Sequence, residues 1–226
     1  MAPAKAPARR RTKLAPAVLV GRPQSLRGQL AIENPGSDDL FVSGPLLHSD
    51  VAPSPARASG STVVPAGGTA QFAVSVALDP RTPAGEYTAH VEVGGERHEV
   101  VLQIVENVNL DITPDRVYVT PAGKSVRTTI VATNHGNVPV RLPAAATTSV
   151  DDAGTLSMRL GRAATTLQPG ETTALTVDVT PPAGRDAAMR YDVPVSIGPR
   201  DITVVVLPTT DETKTPPTAG DRRPPL

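Results

Sequence analysis

Cysteine and tryptophan are absent from this chain, and its 226 residues include only two Phe and three Tyr. The missing Cys excludes a disulfide scaffold and any zinc or redox site built on thiolates. Five aromatic rings leave little for the stacking platforms on which sugars and single-stranded nucleic acids are held. No stretch approaches the roughly 18 consecutive apolar residues that a membrane helix requires. Wholesale disorder is excluded too, because Leu, Ile, Val and Phe stay above the roughly one-fifth of residues typical of unfolded chains. Neither sign of charge prevails: 22 Lys+Arg balance 22 Asp+Glu.

What is abundant is β-branched. Val (28) and Thr (25) dominate, and both suit a pleated, half-buried surface. The 25 Pro and 18 Gly are scattered along the chain, as expected of many short strands joined by turns. Such a length suits one large domain or two small ones. The basic residues are 18 Arg to four Lys, beside abundant Ala, Pro and Gly. GC-rich codons produce that bias and point to a bacterial source.

The ends read differently. Residues 1–13 form a basic arm with Lys5, Arg9, Arg10, Arg11 and Lys13 and no acid. The apolar run behind it, Ala15 to Val20, is about six residues long and contains Pro16, short of the roughly 7–15 of a secretory core. The expectation is a disordered, solvated arm on a cytoplasmic protein, able to give nucleic acid only weak, non-specific attraction. Residues 209–226, rich in Pro, Thr and charge without apolar periodicity, read as a second disordered tail.

Between the ends the chain repeats itself. Gln29 to Gly36 and Thr129 to Asn137 are strand-like runs that each reach an Asn-x-Gly, at Asn34/Gly36 and Asn134/Gly136. The Asn can bond its own backbone and the Gly is expected at positive φ. Turns follow at Val64-Pro65-Ala66-Gly67-Gly68-Thr69 and Leu167-Gln168-Pro169-Gly170-Glu171-Thr172. Each leads into an alternating strand, with Phe72, Val74 and Val76, or Leu175, Val177 and Val179, facing inward. Pro83-Ala84-Gly85-Glu86-Tyr87 and Pro182-Ala183-Gly184 then introduce the strands of Val91 and Val93, and of Tyr191, Val195 and Ile197. Val100, Leu102 and Ile104 close the first copy; Ile202, Val204 and Val206 close the second. The features recur in one order about 100 residues apart. Tandem domains at 14–106 and 107–208 follow, joined near Glu106-Asn107 with almost no linker.

Some seven short strands per copy fit an all-β fold of two tandem immunoglobulin-like sandwiches. Tyr87 and Tyr191 stand where such sandwiches place a tyrosine corner. The Asn134-to-Asn137 turn, the Pro169-to-Thr172 turn and the Pro83-to-Tyr87 stretch resemble bacterial immunoglobulin-like domains, in particular the alpha-galactosidase-associated (NPCBM-associated) type, which is similar to fibronectin type III. The resemblance implies a non-catalytic spacer, an accessory to carbohydrate enzymes, or an adhesion or assembly module.

Candidate chemistry is sparse. Gly123-Lys124-Ser125 echoes a phosphate-binding loop, but Tyr118 occupies the place of its first Gly and a strand follows where a helix is needed. His90 and His98 flank Gly94-Gly95. A two-residue loop would pair His90 with Glu99; a four-residue loop, pairing Val91 with Val100, agrees better with the inward pattern. A metal would need Glu92 or Glu99 as a further ligand, so His48, His90, His98 and His135 are read as ordinary surface residues and no cofactor is expected. Asp38-Asp39 and Asp151-Asp152 are read as solvated turns, with hydrolytic carboxylates or a Ca²⁺ site as the alternatives. Phe41, Phe72, Tyr87 and Tyr191 are assigned to strands, leaving Tyr118 as the exposed ring. The expected function is a non-enzymatic adaptor or accessory that meets protein partners through sheet edges and end loops, by analogy in an assembly such as a phage-tail-like particle. An exported polysaccharide-binding accessory is the alternative, and a hydrolase using the loop carboxylates is the second alternative.

Overall fold

The computed structural model describes residues 12–52, 54–120, 125–150, 153–161, 163–183 and 189–208. The expected tails, apart from Thr12 and Lys13, lie outside the described residues, as do Gly123-Lys124, Asp151-Asp152 and Gly184. Strands account for nearly all the regular structure, with a 3-10 turn at Pro23–Ser25.

The first half contains β1 (Lys13–Leu14), β2 (Val18–Gly21), β3 (Leu26–Glu33), β4 (Leu40–Ser43), β5 (Leu46–Ser49), β6 (Ala56–Arg57), β7 (Ser61–Val64), β8 (Thr69–Val76), β9 (Gly85–Val93) and β10 (Glu96–Ile104). Pro16 sets its topology. Before it, β1 pairs antiparallel with β3; after it, β2 runs parallel to β10. A residue with no N–H and a fixed φ interrupts the ladder and lets one strand serve both layers. On one side β1, β3 and β8 are neighbours; on the other β2, β10, β9, β5 and β6 follow in order. A single pair, Val20 with Arg27, joins the two. The alternating residues of β8, β9 and β10 point as the period of two dictates: Phe72, Val74, Val76, Val91, Val93, Val100, Leu102 and Ile104 are all buried. Leu19, Leu26, Leu30, Ile32 and Leu47 fill the space between the layers at 1% exposure or less. Each such side chain contributes roughly 1.5–3 kcal/mol on burial, set against the ordering of the chain.

The second half contains β11 (Leu110–Thr113), β12 (Arg116–Val119), β13 (Val126–Asn134), β14 (Val140–Leu142), β15 (Ala145–Val150), β16 (Gly154–Leu160), β17 (Thr165–Leu167), β18 (Thr172–Thr180), β19 (Tyr191–Ile197) and β20 (Arg200–Val206). Strands β11-β13-β18-β16-β15 form one sheet and β12-β20-β19 the other. The strand switch recurs with Pro114 between β11, which neighbours β13, and β12, which runs parallel to β20. One pairing differs between the halves. Strand β5 pairs with β9, whereas among the described residues β15 and β19 share no ladder. Pro194 lies within β19 and cannot donate, which suits the edge position of that strand, and the Thr148 hydroxyl bonds the Pro194 carbonyl at 3.1 Å. Both halves are immunoglobulin-like β-sandwiches, and the fold is all-β.

By contact, the described residues up to Leu110 form one compact unit together with 133–140 and 167–171; residues 111–132, 141–166 and those from Thr172 form the other.

Two local expectations are corrected. The β9–β10 hairpin has the two-residue loop: Glu96 pairs with Val93, His98 with Val91 and Glu99 with His90. Gly94 and Gly95 sit at φ +59° and +79°, the paired left-handed conformation of a type I′ turn, whose twist suits the flanking strands. Val91 and Val100 face inward in this register as well, so the inward pattern did not discriminate between the loops. Gly36 and Gly136, in turn, are not among the glycines at positive φ. Gly136 is required for space, since a Cβ there would run into the Asn107 carbonyl oxygen.

Candidate functional site

Two buried Asn side chains hold the turns of the candidate interaction surface. Asn34 donates from Nδ2 to the carbonyls of Asp38 at 2.8 Å and Val64 at 3.0 Å, and its Oδ1 accepts from Gly36 N at 3.0 Å. Asn134 donates to the carbonyls of Val138 at 2.8 Å and Leu167 at 3.0 Å, and accepts from Gly136 N at 2.9 Å. Each side chain thus mimics backbone across a loop that no ladder reaches. The neighbouring turns match: Gly68 N bonds Pro65 O and Glu171 N bonds Gln168 O, both at 2.9 Å. Gly67 and Gly170 lie at positive φ in the third position, as a type II turn demands.

Within the first compact unit, the turn after Asn134 is also bonded to the segment around Asn107. Asn107 N donates to Asn137 Oδ1 at 2.7 Å, Asn137 Nδ2 donates to Val105 O at 3.1 Å, and His135 N donates to Asn109 O at 2.7 Å. These bonds of Asn137 were not legible in the sequence, where it closes an Asn-x-Gly turn.

Tyr87 makes the corner bond, its hydroxyl donating to Pro83 O at 3.1 Å. Tyr191 begins β19 and is half-buried. Tyr118 is 56% exposed on β12. Its direct ladder partner, Val205, is fully buried, and Asp192 stands beyond it on β19. Arg190 grips Asp192 through Nε at 2.7 Å and Nη2 at 2.9 Å, and that pair of bonds holds the carboxyl below its ordinary pKa.

The assignment of Phe41 to a strand holds, but its ring is not covered. Phe41 lies on β4 directly opposite Val63 of β7, and the two are 69% and 51% exposed. The chain therefore presents two exposed rings, Phe41 and Tyr118, where one was expected. Parity along a four-residue strand does not tell which alternate face meets a neighbouring layer.

The carboxylates and imidazoles are arranged as follows. Asp39 Oδ1 accepts from Ala66 N at 3.1 Å and Asp38 supplies its carbonyl to Asn34, so this pair builds the turn. Asp151-Asp152 and the Gly123-Lys124 stretch lie outside the described residues. His90 and His98 are on opposite faces of the hairpin, and the direct partner of His90 on its other side is His48 of β5. That pairing was missed because β5 and β9 are far apart in the chain, and periodicity within one strand carries no information about its partner. Lys13 lies 3.7 Å from Glu33, the residue opposite it in the β1–β3 pair.

No protein-family model and no curated protein matches this chain. Solved structures are similar at low identity. A chaperone of Pseudomonas aeruginosa, CupB2, shares 12% identity over 84% of this chain and 99% of its own, with a TM-score of 0.28. A titin fragment, Titin-A168169, shares 12% over 88% and 99%, with a TM-score of 0.37. A protein of Porphyromonas gingivalis W83 shares 17% over 86% and 98%, with a TM-score of 0.31.

Proposed function

We propose that this chain is a non-catalytic interaction module, an adaptor or accessory component of a larger protein assembly. Its two domains, 14–106 and 107–208, are of the NPCBM-associated, fibronectin type III-like type, and by analogy alone a phage-tail-like particle is such an assembly. The observation that carries the reading is the Phe41–Val63 pair. Exposed apolar side chains scattered singly need no explanation, but two directly paired across a ladder make a patch that water disfavours and a partner would cover. The Asn34 network fixes the adjoining turn, so the patch is presented on a preorganised surface, which lowers the entropic cost of binding. The reading is the same for a cytoplasmic and an exported protein.

The test compares the tagged wild-type protein, purified from its own cells, with a Phe41→Ser, Val63→Ser double variant. Both replaced side chains are largely exposed, so the variant is expected to fold. Loss of one stoichiometric partner from the variant supports the reading; identical co-purifying proteins from both overturn the assignment of the patch.

The polysaccharide-binding alternative draws on a separate observation, the exposed Tyr118 ring beside the Arg190–Asp192 clamp. A Tyr118→Ala variant that binds polysaccharide as wild type does, or a wild type that binds none, removes it.

A further inference from the structure

The outward face of β5 and β9 brings together side chains that the interaction reading does not use. Leu47, Ala89 and Val91 point into the core, so His48 and His90 point outward, and they are direct cross-strand partners. Opposed side chains of this kind have Cβ atoms about 4.5–5.5 Å apart. Two imidazoles at that spacing can reach one ion at the roughly 2.0–2.1 Å of a metal–nitrogen bond. The same row continues to Glu99 of β10. One step along β9, Glu92 places Oε2 3.4 Å from His48 Nε2. Nε2 of His48 is shut off from solvent and makes no hydrogen bond. It faces that Glu92 carboxylate oxygen instead. The two rings open on a hollow of about 340 Å³, also lined by Asp50, Thr88 and Arg97.

We propose that His48 and His90 chelate a divalent transition-metal ion on this face. Among the described residues no three donor groups are gathered around one point. The site is therefore a two-imidazole chelate, with water completing the shell and Glu92 near enough to accept a hydrogen bond from that water. Imidazole nitrogen selects Cu²⁺, Ni²⁺ and Zn²⁺ over the oxygen-seeking Mg²⁺ and Ca²⁺. Arg97, the direct partner of Glu92, offsets the carboxylate charge and keeps the site weaker than a closed structural zinc centre.

Calorimetric titration of the full chain, purified without a polyhistidine tag, with ZnCl₂, NiCl₂, CuCl₂ and MgCl₂ tests this. One Zn²⁺ or Ni²⁺ per chain is expected, with Cu²⁺ tighter and Mg²⁺ not bound. His48→Asn and His90→Asn should each weaken binding about tenfold or more, since even outer-shell changes cost that much. His98→Asn and His135→Asn should leave it unchanged. His90 is exposed, so its variant is expected to keep the wild-type circular dichroism and decides the matter if His48→Asn misfolds. Absence of Zn²⁺ and Ni²⁺ binding at millimolar ion, or binding that survives His90→Asn undiminished, overturns the proposal.

Discussion

Asn34 and Asn134 show how much one side chain can fix. Replacing Asn134, which is 0% exposed, with Ala would leave the Val138 and Leu167 carbonyls and the Gly136 N–H without their partner. A loss of about 2–4 kcal/mol is expected, read as a lower midpoint in urea with unchanged slope. The glycines two residues on should part company. Gly136→Ala meets the Asn107 carbonyl and is expected to cost about 3 kcal/mol. Gly36→Ala meets only the Asn34 side-chain oxygen, at 2.9 Å, and should cost about 1 kcal/mol. The Asn-x-Gly motif was legible in the sequence, and so was its turn. The reason for its glycine was not, because a steric demand from Asn107 is invisible to local conformational rules. Charge acts at this scale too. Arg190 lowers the Asp192 pKa, so the clamp's contribution is present at neutral pH and lost as the pH falls through that lowered value. Arg190→Gln should raise the pH at which the Asp192 carboxyl titrates, followed by carboxyl carbon NMR.

At the scale of elements, alternation in the strands was readable and pairing between them was only partly so. The inward sets on β8, β9, β10, β18 and β19 follow directly from a period of two, whereas on β20 Val205 is buried as well as Ile202, Val204 and Val206. The β9–β10 loop was misjudged because both candidate registers bury the same residues, and the two positive φ angles decide for the shorter one. A side chain at Gly95 meets nothing within 4 Å, so conformation alone sets its tolerance. Gly95→Val should destabilise by roughly 1–2 kcal/mol, the cost of a left-handed conformation for an L-residue, while Gly95→Asn should lose only a few tenths. Thermal midpoints of the two variants measure this. Pro194 illustrates the other limit: it marks β19 as an edge, yet nothing in the sequence says that Thr148 will bond its carbonyl.

For the whole molecule, the fold class was open to reading because Val, Thr, Pro and Gly in short alternating runs leave few other architectures. The candidate surface was much less so. Phe41 was counted as a strand residue, and only the burial of its neighbours shows that its ring faces outward beside Val63. On the proposed function, this molecule works by being held in an assembly and not by transforming a substrate. Size fractionation of the natively expressed protein from its own cells tests that most directly. The protein is expected to migrate in a large particle at fixed stoichiometry with other proteins. Recovery as a free monomer of 23.4 kDa would contradict the proposed function.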